Sequence, residues 1–296
     1  MPLGASRIKR GLIRLLFLFL FCITVLPTGS VRAGQAAKET DRHWYTFGIF
    51  PYIPLMRLER TFAPLAAELG RALGRDMHFS SAENFEKFMD RLRNKEFDIA
   101  YIQPFDYIRI AKGAGYVPVA RRREPLFAVF VVRKGSPFTA LDDLRGKVIG
   151  MPPREGAMTH LGTTALIKAG LEPGKDITIK YAKEHHSCLQ HLAIGEVSAC
   201  VTSPASLQAF DSKLQQNYRV LDRTPAIPPA LFVVHKRVPK RERNIIRKIL
   251  LETTLSGVPP ELRAPLVQGT ERPFVPAYDA EYRGVHKYMR LIEGAP

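Results

Sequence analysis

The sequence predicts an α/β protein with mostly parallel sheets and helices on both sheet faces. Short apolar segments alternate with segments of helical spacing along most of the 296 residues, and this alternation is typical of parallel sheets. The chain is also long enough to build two lobes with separate cores. In the segment 97–107, a short apolar strand ends at Pro104 and leaves Tyr101 near the strand end, where open α/β sheets bind ligands.

The predicted elements follow one another in a regular order. Strands are expected over 45–50, 99–102, 126–132, 147–150, 177–181, 197–201 and 231–234. Helices are expected from apolar residues within 58–73, 85–92, 161–169, 188–194 and 245–250. Pro64 lies inside the first helical pattern, so we expect that helix to be kinked or split. Periodicity alone allows either two consecutive domains or a discontinuous layout.

The first 33 residues have the pattern of a secretory signal peptide. Basic residues between 7 and 14 precede the apolar run 15–26, and Val31-Arg32-Ala33 offers small residues at the cleavage positions. The run is shorter than the roughly 18 to 20 residues that a membrane span needs. Cys22 lacks the small preceding residue typical of lipoproteins. We therefore expect cleavage near Gly34 and a soluble protein in the periplasm.

The chain is strongly basic, with a formal net charge of +16. Such a charge can indicate nucleic acid or anionic lipid as a partner. The basic residues are scattered, however, apart from 121–123 and 236–248, and an exported protein does not meet nucleic acid. A basic solvated surface that attracts anions is the interpretation that remains.

Cys188 and Cys200 are the two cysteines of the expected mature chain. An oxidising compartment favours a disulfide between them, because a helix that folds back on its next strand brings the two positions together. Two alternatives stay open. Both thiols, with His185, His186 or His191, can hold a metal or a thiophilic oxyanion such as arsenite, or the thiols are buried and inert. The spacing matches no standard zinc motif, and we predict neither a metal nor a cofactor.

Five motifs in register resemble one known family. Asp98-Ile99-Ala100-Tyr101, followed by Pro104 and Tyr107, is similar to the "DIAY-x-x-P-x-x-Y" segment of the periplasmic phosphate/phosphite/phosphonate-binding proteins of ABC importers. Gly48-Ile49-Phe50-Pro51-Tyr52, the segment 141–147, His185 and Gly195-Glu196-Val197 with Ala199 match in the same order. The resemblance implies a type II periplasmic-binding-protein fold with a ligand cleft between lobes. It divides the chain into lobe one (34–133), lobe two (134–228) and lobe one again (229–296).

The resemblance implies ligand-facing phenols at Tyr52 and Tyr101, although a buried core tyrosine is the alternative for each. In lobe two the family has a Ser-Thr-Ser turn at a helix start, where this chain has Glu155-Gly156-Ala157. The family's acidic residue before Ser-Pro corresponds to Thr202. Hydroxyl donors and a counter-charge for an amine are therefore lost, and an aminoalkylphosphonate is not expected to bind well.

The predicted ligand site has nine residues: Tyr52, Tyr101, Glu155, Gly156, Ala157, Thr159, His185, Thr202 and Ser203. Backbone N–H groups at Gly156, Ala157 and Met158 are expected to be free to receive an anion, and the lobe-two side chains add donors. An inward Glu155 would favour a cation or a protonated oxyacid, unless Arg154 neutralises it. His185 is equally consistent with a solvated pair beside His186.

Three functional classes remain. The sequence lacks a nucleophile elbow, a Walker loop, a zinc-protease motif and a dinucleotide fingerprint, so we predict no enzyme and no catalytic residues. The first expectation is a monomeric transport receptor that delivers a phosphate- or phosphonate-like oxyanion to an ABC permease. The alternative is a sensory binding protein that signals to a membrane histidine kinase, for a thiophilic oxyanion or a metal. An enzyme of the same fold is the third class.

Overall fold

The computed structural model describes residues 42–210, 217–254 and 272–293. The predicted signal peptide, 1–33, lies outside these ranges. Within them, no helix is both long enough and apolar enough to cross a bilayer.

The described residues form strands and helices in alternation. The strands are β1 (Trp44–Ile49), β2 (Asp76–Ser80), β3 (Ile99–Ile102), β4 (Tyr116–Arg122), β5 (Val129–Arg133), β6 (Val148–Met151), β7 (Thr178–Tyr181), β8 (Ala199–Thr202), β9 (Tyr218–Arg223), β10 (Leu231–His235) and β11 (Phe274–Pro276). The α-helices are α1 (Leu55–Leu73), α2 (Phe85–Arg93), α3 (Pro104–Asp106), α4 (Ala157–Lys168), α5 (His185–Ala193), α6 (Pro204–Phe210), α7 (Lys240–Glu252), α8 (Asp279–Tyr282) and α9 (His286–Glu293). A π-helical turn, Tyr107–Ala111, continues α3.

Two sheets define the two lobes. The sheet of lobe one has the strand order β11-β4-β10-β3-β1-β2, and the sheet of lobe two has the order β7-β6-β8-β5-β9. The two-lobed α/β fold is thus confirmed, but "mostly parallel" needs correction because both sheets are mixed. The pairs β1–β2, β1–β3, β6–β7 and β6–β8 are parallel. The pairs made by β5, β10 and β11 are antiparallel, because these strands enter each sheet from a crossing or a return segment.

The strand pairing also places the crossings between the sheets. Val129–Arg133 pairs with β8 and β9, so the connection between the two sheets lies between β4 and β5. Leu126 in this crossing and Ile227 in the return crossing exchange backbone hydrogen bonds of 2.9 and 2.8 Å. The two connections therefore lie side by side. The division at 133 and 228 stays a prediction for the extent of each lobe.

Helix α1 shows how the lobe-one core forms. Leu58, Phe62 and Leu69 lie on one face and are buried against the sheet, as apolar residues at helical spacing predict. Pro64 lies inside this helix, which continues to Leu73. The helix is therefore not split at Pro64, and a kink there stays a prediction. Pro64 is on the exposed face, and the buried face on both sides of it holds the helix together.

Helix α5 and strand β8 are joined by a disulfide between Cys188 and Cys200. Both cysteines are fully buried, and Gly150 lies against them, since a Cβ at that position would come within 3.1 Å of Cys188 Sγ. The disulfide prediction is confirmed. Both thiols that the soft-ligand alternative needs are used in the disulfide. The described ranges also contain no cluster of three or more histidine, cysteine or acidic residues suited to a metal.

Candidate functional site

A cleft of about 1750 Å³ opens between the two lobes. Lobe one lines it with the segments that follow β1, β2, β3 and β4, and lobe two with the start of α4, the start of α5 and the segment after β8. This is the strand-end location expected for a ligand. Of the nine predicted site residues, seven line the cleft: Tyr52, Tyr101, Glu155, Gly156, Ala157, His185 and Ser203. Thr159 and Thr202 do not.

Aromatic side chains form the lobe-one wall. The ring of Phe50 stacks on Tyr52 with 4.6 Å between centroids, and the Tyr52 and Tyr101 rings lie 6.3 Å apart. Within the described part of the chain, the buried Tyr52 hydroxyl has no hydrogen-bond partner. Burial is the main cause that raises the pKa of Tyr52 well above its ordinary value and the pKa of Tyr101 to about 12. Both phenols are therefore protonated donors at neutral pH.

Arg122 adds a positive charge to this wall. It ends β4, lies within hydrogen-bonding reach of the Tyr101 hydroxyl and is 3.9 Å from the carboxylate of Glu124. Arg57 also lines the cleft. Sequence reasoning missed both, because Arg122 was read only as part of the basic cluster 121–123 and β4 was not predicted. Successive side chains of a strand point to opposite faces of the sheet, so a predicted β4 would have placed Arg122 and Arg121 on different faces. Arg121 pairs with Glu281 at 2.9 Å.

Donors at the start of α4 are fewer than predicted. Gly156 N–H donates to the carbonyl of Pro153 at 2.9 Å, and Ala157 N–H donates to Gln103 Oε1 at 2.7 Å. Two of the three backbone groups expected to be free are therefore occupied, because a turn and a lobe-one side chain cap the helix. In the described ranges, Met158 N–H has no such partner and remains available beside the cleft.

The side chain of Gln103 joins the lobes at this point. Its amide Nε2 donates to Asp106 Oδ2 and to the carbonyl of Glu155, both at 3.2 Å. Phe105 packs on His160 of α4 with 4.7 Å between ring centroids. Asp106 is buried, and burial raises its pKa to about 7. Burial likewise lowers the pKa of His160 to about 3. The two lobes are thus in contact where the buried side chain of Gln103 meets the start of α4.

Two of the three predicted lobe-two hydroxyls are turned away from the cleft. Thr159 Oγ1 donates to the carbonyls of Pro152 and Pro153 at 3.1 and 3.0 Å, so it supports the loop before α4. Thr202 is fully buried and lies 3.1 Å from His185 Nδ1. Neither residue lines the cleft, so the structure does not support either as a direct ligand donor. Ser203 lines the cleft, but its hydroxyl accepts from Ser206 N–H at 3.1 Å and caps the short helix α6.

His185 and His186 differ in their surroundings. His185 lines the cleft with its ring packed into lobe two, and burial lowers its pKa to about 4, so the ring is neutral at pH 7. His186 instead packs edge-on against Phe210, with 4.7 Å between the ring centroids. The interpretation of a simple solvated pair therefore does not fit His185.

Glu155 is a half-buried carboxylate beside the cleft. The guanidinium of Arg154 stacks over the ring of Tyr181 at 4.5 Å, so it does not neutralise Glu155. Charges of both signs line both walls: Arg57, Arg122, Glu59, Glu83 and Glu124 on lobe one, and Lys183, Glu155 and Glu184 on lobe two.

The model of the family described as the phosphonate periplasmic substrate-binding proteins of ABC transporters matches residues 47–282. No curated protein sequence matches the chain. Solved structures share the fold at low identity. PhnD1 from Prochlorococcus marinus, in complex with methylphosphonate, has a TM-score of 0.72 and 15% identity over 85% of this chain and 98% of that one. The binding component of a phosphonate transporter from Pseudomonas aeruginosa has a TM-score of 0.69 and 14% identity, covering 86% and 87%. The aliphatic sulphonate binding protein SsuA from Escherichia coli has a TM-score of 0.63 and 18% identity, covering 85% and 92%.

Proposed function

The chain belongs to the family of phosphonate-binding periplasmic substrate-binding proteins of ABC transporters, and on this premise we propose that it captures a phosphonate between its lobes and delivers it to an ABC permease. The observation that carries the proposal is the buried Tyr52 hydroxyl, which has no hydrogen-bond partner among the described residues, in a cleft that also holds Arg122. An unsatisfied buried donor is unfavourable unless a ligand accepts its hydrogen bond. The sensory alternative has no support from the relatives.

A phosphonate suits the lobe-one wall. Arg122 supplies charge, since guanidinium groups bind phosphoryl oxygens well, while the two phenols supply neutral donors. Met158 N–H and His185 face the same cleft from lobe two. A ligand held by both lobes stabilises the closed arrangement, because only there do both walls contact it.

The organic part of the ligand is proposed to be larger than a methyl group. The cleft volume of about 1750 Å³ exceeds the roughly 300 to 1,000 Å³ of most small-molecule pockets. Its apolar lining comes from both lobes and from the crossing segment, and includes Phe79, Phe85, Leu126, Phe127 and Met158. Apolar surface of this kind favours an alkyl or aryl substituent over a charged one.

Calorimetry on the mature protein tests the ligand class. The panel is methylphosphonate, phenylphosphonate, 2-aminoethylphosphonate, inorganic phosphate and methanesulfonate. We expect methylphosphonate and phenylphosphonate, whose substituents are uncharged, to bind, and phenylphosphonate to bind more tightly of the two. We expect 2-aminoethylphosphonate to bind weakly or not at all. Binding of methanesulfonate alone would overturn the phosphonate proposal, whereas methylphosphonate binding more tightly than phenylphosphonate would overturn only the size argument.

The remaining parts of the proposal have direct tests. A pure binding role predicts that phosphorus NMR finds the bound phosphonate intact after prolonged incubation. Export predicts a periplasmic protein whose mature sequence begins near Gly34. A monomeric receptor predicts a mass of one chain in light scattering, with and without ligand. Release of inorganic phosphate from the phosphonate would contradict the binding role.

A further inference from the structure

We propose that Thr202 is a positioning residue that fixes His185 in the tautomer with its hydrogen on Nε2, so that the imidazole presents a neutral N–H donor to the cleft. The inference rests on the proposed function for the identity of the ligand. It goes further by giving a role to Thr202, which does not line the cleft.

The two side chains meet behind the cleft wall. Thr202 is the last residue of β8 and His185 the first of α5, and Thr202 Oγ1 lies 3.1 Å from His185 Nδ1. Thr202 is fully buried and does not line the cleft, while His185 does. Nδ1 therefore faces the protein. Nε2, on the opposite edge of the ring, is the nitrogen left for the cleft.

The hydroxyl of Thr202 decides which nitrogen carries the hydrogen. A buried hydroxyl needs an acceptor for its hydrogen. In the part of the chain that the structure describes, His185 Nδ1 is the hydrogen-bond partner of this hydroxyl. Thr202 therefore donates and Nδ1 accepts. A neutral imidazole that accepts through Nδ1 carries its hydrogen on Nε2.

The fold keeps this pair in place. Cys188 follows His185 by three positions on α5 and lies on the same face of the helix. Cys200 and Thr202 are two positions apart on β8 and therefore lie on the same face of the strand. The Cys188–Cys200 disulfide therefore joins the two elements on the faces that carry the pair. The contact is held by a covalent link a few residues away.

The side chain at position 202 determines what His185 offers a ligand. A carboxylate there would accept a hydrogen bond from Nδ1–H, which leaves Nε2 as an acceptor or stabilises the imidazolium form. A hydroxyl donates instead and leaves Nε2–H as a neutral donor. The site thus gains a donor for a phosphonate oxygen and lacks the acid that a ligand amine would need.

Nitrogen-15 NMR of the histidine side chains in the ligand-free protein at pH 7 tests the tautomer directly. We expect His185, assigned with a His185→Gln variant, to be the Nε2–H tautomer in the parent and in Thr202→Ser. Thr202→Val keeps the shape but loses the hydroxyl, so both tautomers should be populated. A parent protein in which His185 carries its hydrogen on Nδ1 would overturn the inference, whatever the ligand proves to be.

Calorimetry then connects the tautomer with binding. With methylphosphonate as the probe, Thr202→Val should weaken binding about threefold to tenfold because the donor is no longer fixed, while Thr202→Ser should stay within about twofold. Equal affinities of parent and Thr202→Val would refute the role in binding. Failure of the parent to bind any phosphonate would refute the proposed function, and the NMR result would still decide the tautomer.

Discussion

The two walls of the cleft differ in the kind of group that they offer. Lobe one presents phenols and guanidinium groups; the Tyr52 hydroxyl has no partner in the described ranges, and Arg122 lies beside Tyr101. In lobe two, Gly156, Ala157, Thr159 and Ser203 already have partners within the protein. Under the proposed function, lobe one is the wall that holds the anion, and lobe two shapes the site with a few fixed groups.

The largest expected effect concerns Asp106, where the two walls touch. Its pKa of about 7 lies above the ordinary value of about 3.9 in an unfolded chain, so the folded protein binds more protons between these values. Asp106 therefore contributes stability that is lost as the pH rises from about 4 to about 7. Asp106→Asn keeps an acceptor for Gln103 and does not titrate. The difference in unfolding free energy between the two proteins should change by up to about 4 kcal/mol over this range.

Urea unfolding at several pH values measures this difference. The lowered pKa values of His160 and His185 make stability rise with pH over part of the same range. That trend is common to the parent and the variant, and it cancels in the comparison. If the unfolding free energies of the two proteins change in parallel with pH, the pKa of Asp106 is not raised in the folded protein and the prediction is wrong.

The second effect belongs to lobe two. Replacing both Cys188 and Cys200 by Ala should lower the unfolding free energy by about 2 to 3 kcal/mol, since the disulfide closes a short loop of the unfolded chain. Urea unfolding of the oxidised parent and the variant gives the value. Thiol titration of the denatured, unreduced parent is the control and should find no free thiol. Two free thiols would contradict the disulfide.

The third effect tests the charge of lobe one. Arg122→Gln should weaken phenylphosphonate binding by about 30-fold, because it removes a charged partner of the anion. Arg123→Gln is the matched control, since Arg123 carries the same charge next in sequence on an exposed position and does not line the cleft. Calorimetry should find its affinity unchanged. Equal losses in both variants would mean that the net charge of the protein, and not Arg122, attracts the ligand.

The fourth effect is the loss of one neutral donor. Tyr52→Phe should weaken phosphonate binding by about fivefold to tenfold and leave the fold intact, because the hydroxyl has no partner within the described protein to lose. Tyr278→Phe, at an exposed position outside the cleft, is the control. An unchanged affinity for Tyr52→Phe would assign the hydroxyl to a bound water rather than to the ligand.

The smallest effect concerns Glu155 of lobe two. Glu155→Gln should strengthen phosphonate binding by about twofold to threefold, since it removes a like charge beside the anion. Glu172→Gln, at an exposed position paired with Lys175, is the control for net charge. Weaker binding after Glu155→Gln would mean that the carboxylate contacts a positive group of the ligand, and the two walls would then complement opposite ends of it.

The apolar parts of the fold could be predicted from the sequence, and the polar edges could not. The predicted strand over 99–102 coincides with β3, whose four residues are all buried. Strands β2, β4, β9 and β11 were missed. β2 and β9 are sheet edges with polar, partly exposed side chains, and β11 is an edge strand of only three residues. β4 contains Pro118, which argues against a strand.

Chain position determines which predicted site residues reach the cleft. Tyr52 follows β1, Tyr101 lies near the end of β3 and His185 begins α5, and all three line the cleft. Their contact with a ligand stays a prediction. Hydroxyl directions are not set by position, so Thr159 and Thr202 were assigned to the ligand although they bond within the protein. Gln103 and Ala157 are 54 positions apart, and no local pattern brings them together.

The place of β10 in the lobe-one sheet has a consequence for the order of folding. β10 lies between β3 and β4, although β5 to β9 of the other sheet come before it in the chain. The lobe-two sheet, 129–223, is continuous in sequence and closes by itself. Lobe one without β10 is two separate strand groups, so we expect its long-range pairing to form after that of lobe two. A chain that ends before Leu231 also lacks β11, which leaves β4 without either neighbour and β3 with an open edge. We expect such a chain to retain a folded second sheet and to aggregate through the unpaired strands of the first.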